Sequence, residues 1–456
     1  MTIYDVVIKQ GTVVTAVTTT QTDIGIIGEK IAAIGENLRG RQEIDAAGKL
    51  VTPGAIDVHV HMEMPIGDFT STDSFLTGTR AAAFGGTTTI IDFVETALDE
   101  TMLEALAARR AKADPKVLID YGLHMTIGPT DIAKLDQLPG VYEAGCASFK
   151  LYMAYGLRLH DGELLKALTA VRDVGGMPVV HAENWDVICT LIEQNLAAGR
   201  VEPHWHPRSR PALLESEAAG RVIDIAEFVG TPLHIFHVSC QETVAQIAQA
   251  RQRGLPIYGE TCPQYLLLDW DLYDRPGVAG ALPVCSPPIR ERAQQAQLWA
   301  ALARGDLQVV STDHCPFALG EKESRLGNFS QIPGGVPSIE IRFPAIYHFG
   351  VQHGDLTLNQ WVAACCTTPA RLFGMPEKGD IAVGYDADLV IFDEKRPFTV
   401  TPESLHEAAG WTLYEGMTFQ GWPQTTLSRG EIITHNGELL AQPGRGRFIK
   451  RALAAR

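Results

Sequence analysis

The sequence predicts an α/β protein: a (β/α)8 TIM-like barrel with a small β-sandwich domain built from both termini. Three observations predict this. The 456 residues exceed one typical domain. Apolar β runs alternate with helix-period segments through the middle of the chain, whereas both ends consist of short β runs separated by turns. We expect the sandwich to comprise residues 1–52 and 376–456, and the barrel residues 53–375.

The two ends of the chain resemble each other in composition. Residues 4–52 include YDVVIKQGTVVT and DIGIIGEKIAAIG, and residues 378–440 include DADLVIFD and RGEIITHNGEL. Short β-rich runs joined by Gly and Asn-Gly turns are typical of antiparallel strands. Both ends are therefore predicted to form one small β domain.

The middle of the chain contains eight candidate strands with helical segments such as ELLKALTAVRDVG between them. Alternation of this kind predicts parallel strands connected by helices, and eight units predict a closed barrel. The candidate strands, in order, are AIDVHVHM, TTTIIDF, LIDYGLHMTI, ASFKLYMAY, MPVVHAEN, PLHIFHVSC, LPIYGETC and LQVVSTDH.

Charge and cysteine content limit the possible partners. The formal net charge is 38 − 54 = −16, which argues against nucleic acid or an anionic membrane surface as a partner. The start of the chain, MTIYDVVIKQ, lacks an apolar leader, and we find no run of the roughly 20 apolar residues that span a bilayer. The eight scattered cysteines form no CxxC pair and indicate reduced thiols. We expect a cytoplasmic protein that acts on a small molecule.

Polar side chains recur where the predicted barrel strands end, which is the active-site face of such a barrel. Imidazole and carboxylate groups suit Zn, Mn, Co or Fe, and six groups are more than one structural metal requires. The sequence therefore predicts two divalent ions, with Zn as the first candidate. The six predicted ligands are His59, His61, Lys150, His181, His237 and Asp313.

Lys150 is the unusual member of this set, because an ammonium group beside two divalent cations would be repelled. A neutral lysine amine can react with CO2, and the resulting carbamate can bridge two metals about 3.5–4 Å apart. We therefore expect Lys150 to be an N6-carboxylysine. Taken alone, Lys150 is equally compatible with a Schiff-base lysine or half of a salt bridge.

The other histidines are expected to have structural roles. His314 is adjacent to Asp313 and points the other way along the strand, so we expect it to support the site without being a ligand. The histidines expected to be structural or solvated are His124, His204, His206, His234 and His353.

Long motifs in the chain resemble those of the cyclic amidohydrolases, and most closely the dihydropyrimidinase/D-hydantoinase branch. The resemblance extends over essentially the whole chain. It rests on PGAIDVHVHMEMP (53–65), ASFKLYMAY (147–155), VVHAEN (179–184), HVSC (237–240), GETCPQYL (259–266), CSPPIR (285–290), STDHCPF (311–317) and the tail motif KGDIAVGYDADLVIFD.

This resemblance implies a role for each site residue. His59, His61 and Asp313 would hold one metal, His181 and His237 the second, and carboxylated Lys150 would bridge them. Tyr155 would donate a hydrogen bond to the oxyanion, and Ser286 would contact the ring amide. The chain departs from the family at IPGG (332–335), where Gly334 replaces a substrate-contacting Asn. A backbone contact survives that change, whereas a side-chain contact does not.

The implied reaction is hydrolytic opening of 5,6-dihydropyrimidines and 5-substituted hydantoins to N-carbamoyl amino acids. A metal-bridging hydroxide would attack, and Asp313 would carry the proton. The alternatives are an allantoinase or dihydroorotase activity, or a non-catalytic scaffold homologue. Glu63, which follows HxH where dihydroorotases have Arg or Asn, argues for neutral rings.

Two further expectations concern surfaces. Segments 62–69 and 153–159 are expected to form lids whose apolar side chains receive a ring substituent, unless these side chains only pack the loops; they are Met62, Met64, Phe69, Leu157 and Leu159. The resemblance also implies a homotetramer. The basic tail 444–456 is predicted either to dock on a neighbouring subunit or to be solvated.

Overall fold

A computed structural model describes residues 2–453 and contains two large sheets with helices around one of them. The strands, in chain order, are β1 (Ile3–Val14), β2 (Thr19–Ile27), β3 (Lys30–Gly35), β4 (Arg39–Asp45), β5 (Leu50–Pro53), β6 (Ala55–Asp57), β7 (Pro65–Ile66), β8 (Phe69–Thr70), β9 (Thr87–Val94), β10 (Asp120–Thr126), β11 (Ser148–Tyr152), β12 (Met177–His181), β13 (Leu233–Ile235), β14 (Ile257–Thr261), β15 (Val309–Val310), β16 (Leu389–Thr399), β17 (Thr418–Ser428), β18 (Glu431–His435) and β19 (Glu438–Leu439).

The helices lie mostly between the strands of the middle segment. They are α1 (Phe75–Phe84), α2 (Met102–Ala113), α3 (Leu138–Glu143), α4 (Asp161–Asp173), α5 (Trp185–Ala197), α6 (Trp205–Arg208), α7 (Ala212–Val229), α8 (Gln241–Gln252), α9 (Pro263–Leu267), α10 (Val278–Ala281), α11 (Ala293–Arg304), α12 (Leu319–Glu323), α13 (Arg342–Ile346), α14 (Leu358–Val362) and α15 (Thr368–Leu372). Short 3-10 turns occur at Pro129–Gln137, Trp270–Asp274, Phe329–Gln331 and Pro402–Ser404, and π-helical turns at Tyr347–Gln352 and Ala363–Thr367. No helix among the described residues is long and apolar enough to cross a membrane.

The predicted barrel is confirmed. Eight parallel strands follow the order β6-β9-β10-β11-β12-β13-β14-β15. A parallel bridge between Val60 and His314 and a 2.9 Å hydrogen bond from the His61 amide to the His314 carbonyl join the first strand to the last. Every residue of β9 and β10 is buried, as expected for parallel strands covered on both faces. The structure is therefore a nearly closed barrel.

The β domain from both termini is also confirmed as a mostly antiparallel sheet. Its nine strands follow the order β19-β18-β17-β16-β5-β1-β2-β3, with β4 paired to β1. The strand β5, near the start of the chain, pairs with β16, near its end, so that Val51 lies opposite Ile391. Apolar side chains from both termini form one core here, including Ile24 and Leu389. The exact domain boundaries at residues 52 and 375 stay predictions.

A buried ion network joins the barrel to the terminal sheet. Lys378 Nζ lies 2.6 Å from Asp388, 2.9 Å from Asp120 and 3.0 Å from Asp386. Asp120 belongs to β10 of the barrel and also pairs with Arg429 of the terminal sheet. The three aspartates are close enough to hold a cation. The Lys378 ammonium already supplies that charge, so this cluster is a structural junction.

The basic tail docks on its own chain over residues 444–453, so the interpretation as a solvated tail is wrong, whereas docking on a neighbouring subunit stays a prediction. The Tyr121 amide donates to the Arg447 carbonyl at 2.9 Å, and the Ile449 amide donates to the Tyr121 carbonyl at 2.8 Å. Arg451 is buried and donates to the Leu123 carbonyl and, at 2.9 Å, to the Ser148 hydroxyl. Residues 444–453 thus cover the barrel strands β10 and β11; residues 454–456 of the predicted tail lie outside the described residues.

Replacing Arg451 with Ala should destabilise the fold, because buried acceptors lose a charged donor and a cavity remains. We expect the free energy of unfolding to fall by about 2–4 kcal/mol in urea titrations followed by circular dichroism. Arg447→Ala is the matched control, because the Arg447 side chain is 61% exposed and pairs with half-exposed Glu29; a loss under about 1 kcal/mol is expected there. Equal losses in both variants would contradict the docked-tail interpretation.

Candidate active site

A cavity of 540 Å³ opens where the barrel strands end, and it collects every site residue that the sequence predicted. Its volume is in the range of small-molecule sites. The predicted residues that line it are His59, His61, Lys150, Tyr155, His181, His237, Ser286, Asp313 and Gly334.

Three of the predicted ligands form a tight cluster at the junction of the first and last strands. Asp313 Oδ1 lies 3.0 Å from His59 Nε2 and 3.1 Å from His61 Nε2. The three ligand atoms lie within 4.8 Å of one another. Burial would raise the pKa of Asp313, but the adjacent His59 and His61 hold that pKa well below its usual range. A carboxylate and two imidazole nitrogens directed at one point form a site for a divalent metal.

His181 and His237 form a second cluster beside the first. Their ring nitrogens Nδ1 and Nε2 face each other at 3.0 Å, and the His237 ring centroid is 5.3 Å from that of His59. The other nitrogen of His237 is buried without a hydrogen-bond partner among residues 2–453. Burial lowers the pKa of both histidines, and the pKa of His61 to about 4. Neutral imidazoles with directed lone pairs are the form that binds metals.

Lys150 lies on β11, with its amine between aromatic rings and not beside a carboxylate. Its Nζ is 4.2 Å from the Phe236 ring centroid and 4.7 Å from that of Tyr152. No salt bridge to Lys150 is found among residues 2–453, and the side chain is buried. Burial lowers the pKa of Lys150 to about 7. A large fraction of a buried amine of this kind is neutral near pH 7, as carbamate formation requires.

Two carboxylates that the sequence reasoning did not assign orient the histidines. Glu260 lies 2.7 Å from His59 Nδ1, and Glu183 lies 2.8 Å from His181 Nε2. Each carboxylate accepts the proton of one ring nitrogen, which leaves the other nitrogen free to bind a metal. Both lie in motifs quoted above, GETC and VVHAEN. The position of Glu183 two residues after His181 could have singled it out, and Glu260 could have been noticed only as a carboxylate near the end of its own barrel strand.

Three site residues have a left-handed backbone, which is rare for residues with a Cβ. The φ angles are +66° at Tyr155, +41° at His237 and +53° at Asp313. Such conformations persist only where the surrounding structure imposes them, and they cluster at functional sites. The backbone strain and the ligand geometry therefore coincide.

Comparison with known proteins agrees with this geometry. Residues 50–433 match the amidohydrolase family. The chain belongs to that family. It is 44% identical to a D-hydantoinase of Geobacillus stearothermophilus over 98% of this chain and 96% of that protein. It also matches the structure of a D-hydantoinase from Bacillus sp. AR9 (TM-score 0.97, 44% identity, 99% and 100% of the two chains) and that of a dihydropyrimidinase from Brevibacillus agri NCHU1002 (TM-score 0.97, 43% identity, 99% of each chain).

The expectation that Glu63 faces the substrate is wrong. Its carboxylate lies 2.6 Å from Lys116 Nζ and accepts the Phe75 amide at 3.1 Å, away from the cavity. A φ of +46° at Glu63 turns the chain there, so strand alternation no longer applies. Glu95 is the glutamate that lines the cavity. The charge argument based on Glu63 therefore fails as stated.

The lid prediction is correct for part of its residues. Met64 and Leu157 line the cavity together with Ile66, which the sequence reasoning did not name. Met62 is fully buried instead, and its sulfur fills the space beside Gly78 of α1. Phe69 and Leu159 are absent from the cavity wall as described.

Most other histidines have the expected structural roles. His314 lies 3.0 Å from Asp73, and His124 lies 2.8 Å from the Val58 carbonyl. His234 lies 3.1 Å from Glu260, so it supports the carboxylate that orients His59. His204 lies 3.5 Å from Asp274, and His353 is exposed. His206 is buried and lines the cavity, where its Nε2 lies 2.8 Å from the Cys285 carbonyl. All eight cysteines are unpaired within residues 2–453.

Lys322 holds the loop that carries Ser286. Its buried ammonium donates to the carbonyls of Leu282 at 3.1 Å and Val284 at 3.0 Å. The Val284 carbonyl also accepts the Gly335 amide at 2.9 Å, so Lys322 fixes the edge of the cavity formed by both loops. No carboxylate pairs with Lys322 among residues 2–453, and burial lowers the pKa of Lys322 to about 7.

This lowered pKa predicts a pH-dependent stability. Below pH 7 Lys322 is charged in both folded and unfolded chains, and burial of this charge destabilises only the folded state. As pH rises from 7 towards 10.5, the folded protein loses this proton first, so the free energy of unfolding should increase. Between pH 7 and pH 10, the free energy of unfolding of wild type, measured in urea, should therefore increase relative to that of Lys322→Met. A difference between the two proteins that does not change with pH would contradict this assignment.

Proposed function

We propose that this protein is a metal-dependent cyclic amidohydrolase that opens 5,6-dihydropyrimidines and 5-substituted hydantoins to N-carbamoyl amino acids. The observation that carries the proposal is the meeting of two ligand clusters in one cavity with Tyr155 and Ser286. The names of the similar proteins, D-hydantoinase and dihydropyrimidinase, favour this reaction over the allantoinase, dihydroorotase and scaffold alternatives.

The donor set fits two divalent ions, with Zn as the first candidate and Mn, Co or Fe as alternatives. His59, His61 and Asp313 would hold one ion, His181 and His237 the other, and Lys150 would bridge them as a carbamate. When bound, the ions would acidify the attacking water and polarise the scissile carbonyl. The neutral imidazoles of His61, His181 and His237 and the unpaired Lys150 amine support this arrangement.

Side chains of the protein would perform the remaining steps. Asp313, held ionised between two imidazoles, would accept the proton of the attacking water and deliver it to the departing ring nitrogen. Burial raises the pKa of Tyr155 to about 12, so its hydroxyl stays protonated and can donate to the developing oxyanion. Ser286, beside Tyr155, would bind the ring amide through its backbone.

Neutral rings fit the cavity better than anionic ones. Among its described lining residues, Lys150 and Arg210 are the only lysine and arginine side chains. Arg210 is paired with Glu183 at 2.6 Å, and Lys150 would become anionic as a carbamate. Neither is available to a substrate carboxylate, and this supports the proposed preference for a neutral ring without Glu63.

Turnover of a ring panel tests the proposal. With Zn or Mn in bicarbonate buffer, we expect dihydrouracil and a 5-substituted hydantoin to open far faster than allantoin or dihydroorotate. Asp313→Ala should lower kcat at least about 100-fold, because it removes the proton carrier and a ligand. Asp355→Ala, at an exposed position, is the matched control and should keep wild-type kcat. Exclusive turnover of allantoin or dihydroorotate would refute the assigned substrate class.

The Gly334 departure predicts a change in selectivity. A Cβ added at Gly334 would meet only the Cys285 Cα, at 3.8 Å, so the structure has room for a side chain there. Gly334→Asn should fold and should occupy part of the cavity. We expect kcat/KM for 5-phenylhydantoin to fall roughly 10-fold relative to dihydrouracil, with a smaller change for Gly334→Ala. If the ratio of kcat/KM for the two substrates is unchanged in both variants, Gly334 does not determine the selectivity between them.

We also propose that the protein is cytoplasmic and forms a homotetramer. The family resemblance supports the assembly, and the unpaired cysteines support a reducing compartment. Light scattering during size exclusion would determine the oligomeric state of the full chain.

A further inference from the structure

Arg210 is a buried cation in the cavity wall that the reaction as described does not use. It lies between the short helix α6 and helix α7, and only 4% of it is exposed. Its backbone carbonyl accepts a hydrogen bond from Arg290, which also pairs with Glu215 at 2.9 Å. The position of Arg210 is therefore fixed by a second buried ion pair.

The Arg210 guanidinium contacts the carboxylate that orients a metal ligand. Its NH1 lies 2.6 Å from Glu183 Oε2, and the same oxygen lies 2.8 Å from His181 Nε2. Arg210 thereby holds Glu183 where it accepts the His181 proton, which leaves His181 Nδ1 facing His237. A buried carboxylate without its cationic partner would be strongly destabilised in this position.

The same guanidinium lies against the residue assigned to the oxyanion. Its Cζ is 5.3 Å from the ring centroid of Tyr155 and 5.3 Å from that of Trp185. The two rings lie 4.9 Å apart, and Tyr155 has a strained backbone. A planar cation beside both rings restricts the position of the Tyr155 hydroxyl.

We propose that Arg210 is a positioning residue that couples the two halves of the site: it orients His181 through Glu183 and fixes Tyr155 by ring contact. This inference rests on the proposed function for the roles of His181 and Tyr155. The two effects of the Arg210 side chain can be tested separately. The link to Glu183 needs a positive charge, whereas the contact with the rings needs the planar guanidinium.

Two substitutions test the two effects. Arg210→Gln should weaken binding of one of two Zn ions about 10- to 100-fold, measured by competition with a chelator and by metal analysis. It should also lower kcat at saturating Zn. Arg210→Lys keeps a cation for Glu183, so we expect near wild-type Zn affinity but a kcat that stays reduced, with KM changed little.

Arg429→Gln is the matched control. Arg429 is also buried and paired with carboxylates, but it lies at the junction between barrel and terminal sheet. This variant should lower the melting temperature and leave Zn content and kcat within twofold of wild type. Equal Zn loss in Arg429→Gln, or wild-type Zn affinity and kcat in Arg210→Gln, would overturn the proposal. The Zn titrations need no turnover, so they test the link from Arg210 through Glu183 to His181 even if wild type opens no ring.

Discussion

Closure of the barrel between its first and last strands is the constraint on which the site depends. His61 and Asp313 are 252 residues apart in sequence, yet their side chains lie 3.1 Å apart. Asp57 reinforces the junction by accepting the Thr312 hydroxyl at 2.6 Å and the Thr312 amide at 3.2 Å. The cluster of His59, His61 and Asp313, which could hold a metal ion, spans this junction, so a barrel opened at that point would have no such cluster.

Burial of charge is the second requirement, and the protein meets it by pairing. A buried carboxylate costs several kcal/mol unless a partner compensates for it. Glu260 is placed between His59 and His234, and Glu183 between His181 and Arg210. These pairs also determine which ring nitrogen of each histidine is free. Stabilisation of the charge and orientation of the ligands are thus achieved by the same contacts.

These pairs mark the limit of what the sequence could predict. The convergence of the predicted ligands in one cavity could be predicted because strand alternation and barrel topology together bring the strand ends to one rim. Arg210 comes from a loop after a short helix, where no periodic pattern indicates direction. Glu63 was misjudged because a left-handed turn redirects it towards Lys116. Arg451 belongs to a tail that was predicted either to dock on a neighbouring subunit or to be solvated, but carbonyls at the barrel wall of its own chain bind it.

The left-handed backbone of three site residues requires that the rest of the fold be stable enough to impose it. Conformations of this kind cost about 1–3 kcal/mol each, and Tyr155, His237 and Asp313 all have one. Regular strand geometry would not direct these side chains at a common point, so the arrangement of the candidate site is obtained at the expense of backbone energy. The Lys378 network lies at the junction between barrel and terminal sheet, away from these residues, and provides stability independently of them. Tyr155, His237 and Asp313 therefore keep their strained conformations because the surrounding fold imposes them, and substitutions at these three residues would change activity before they change folding.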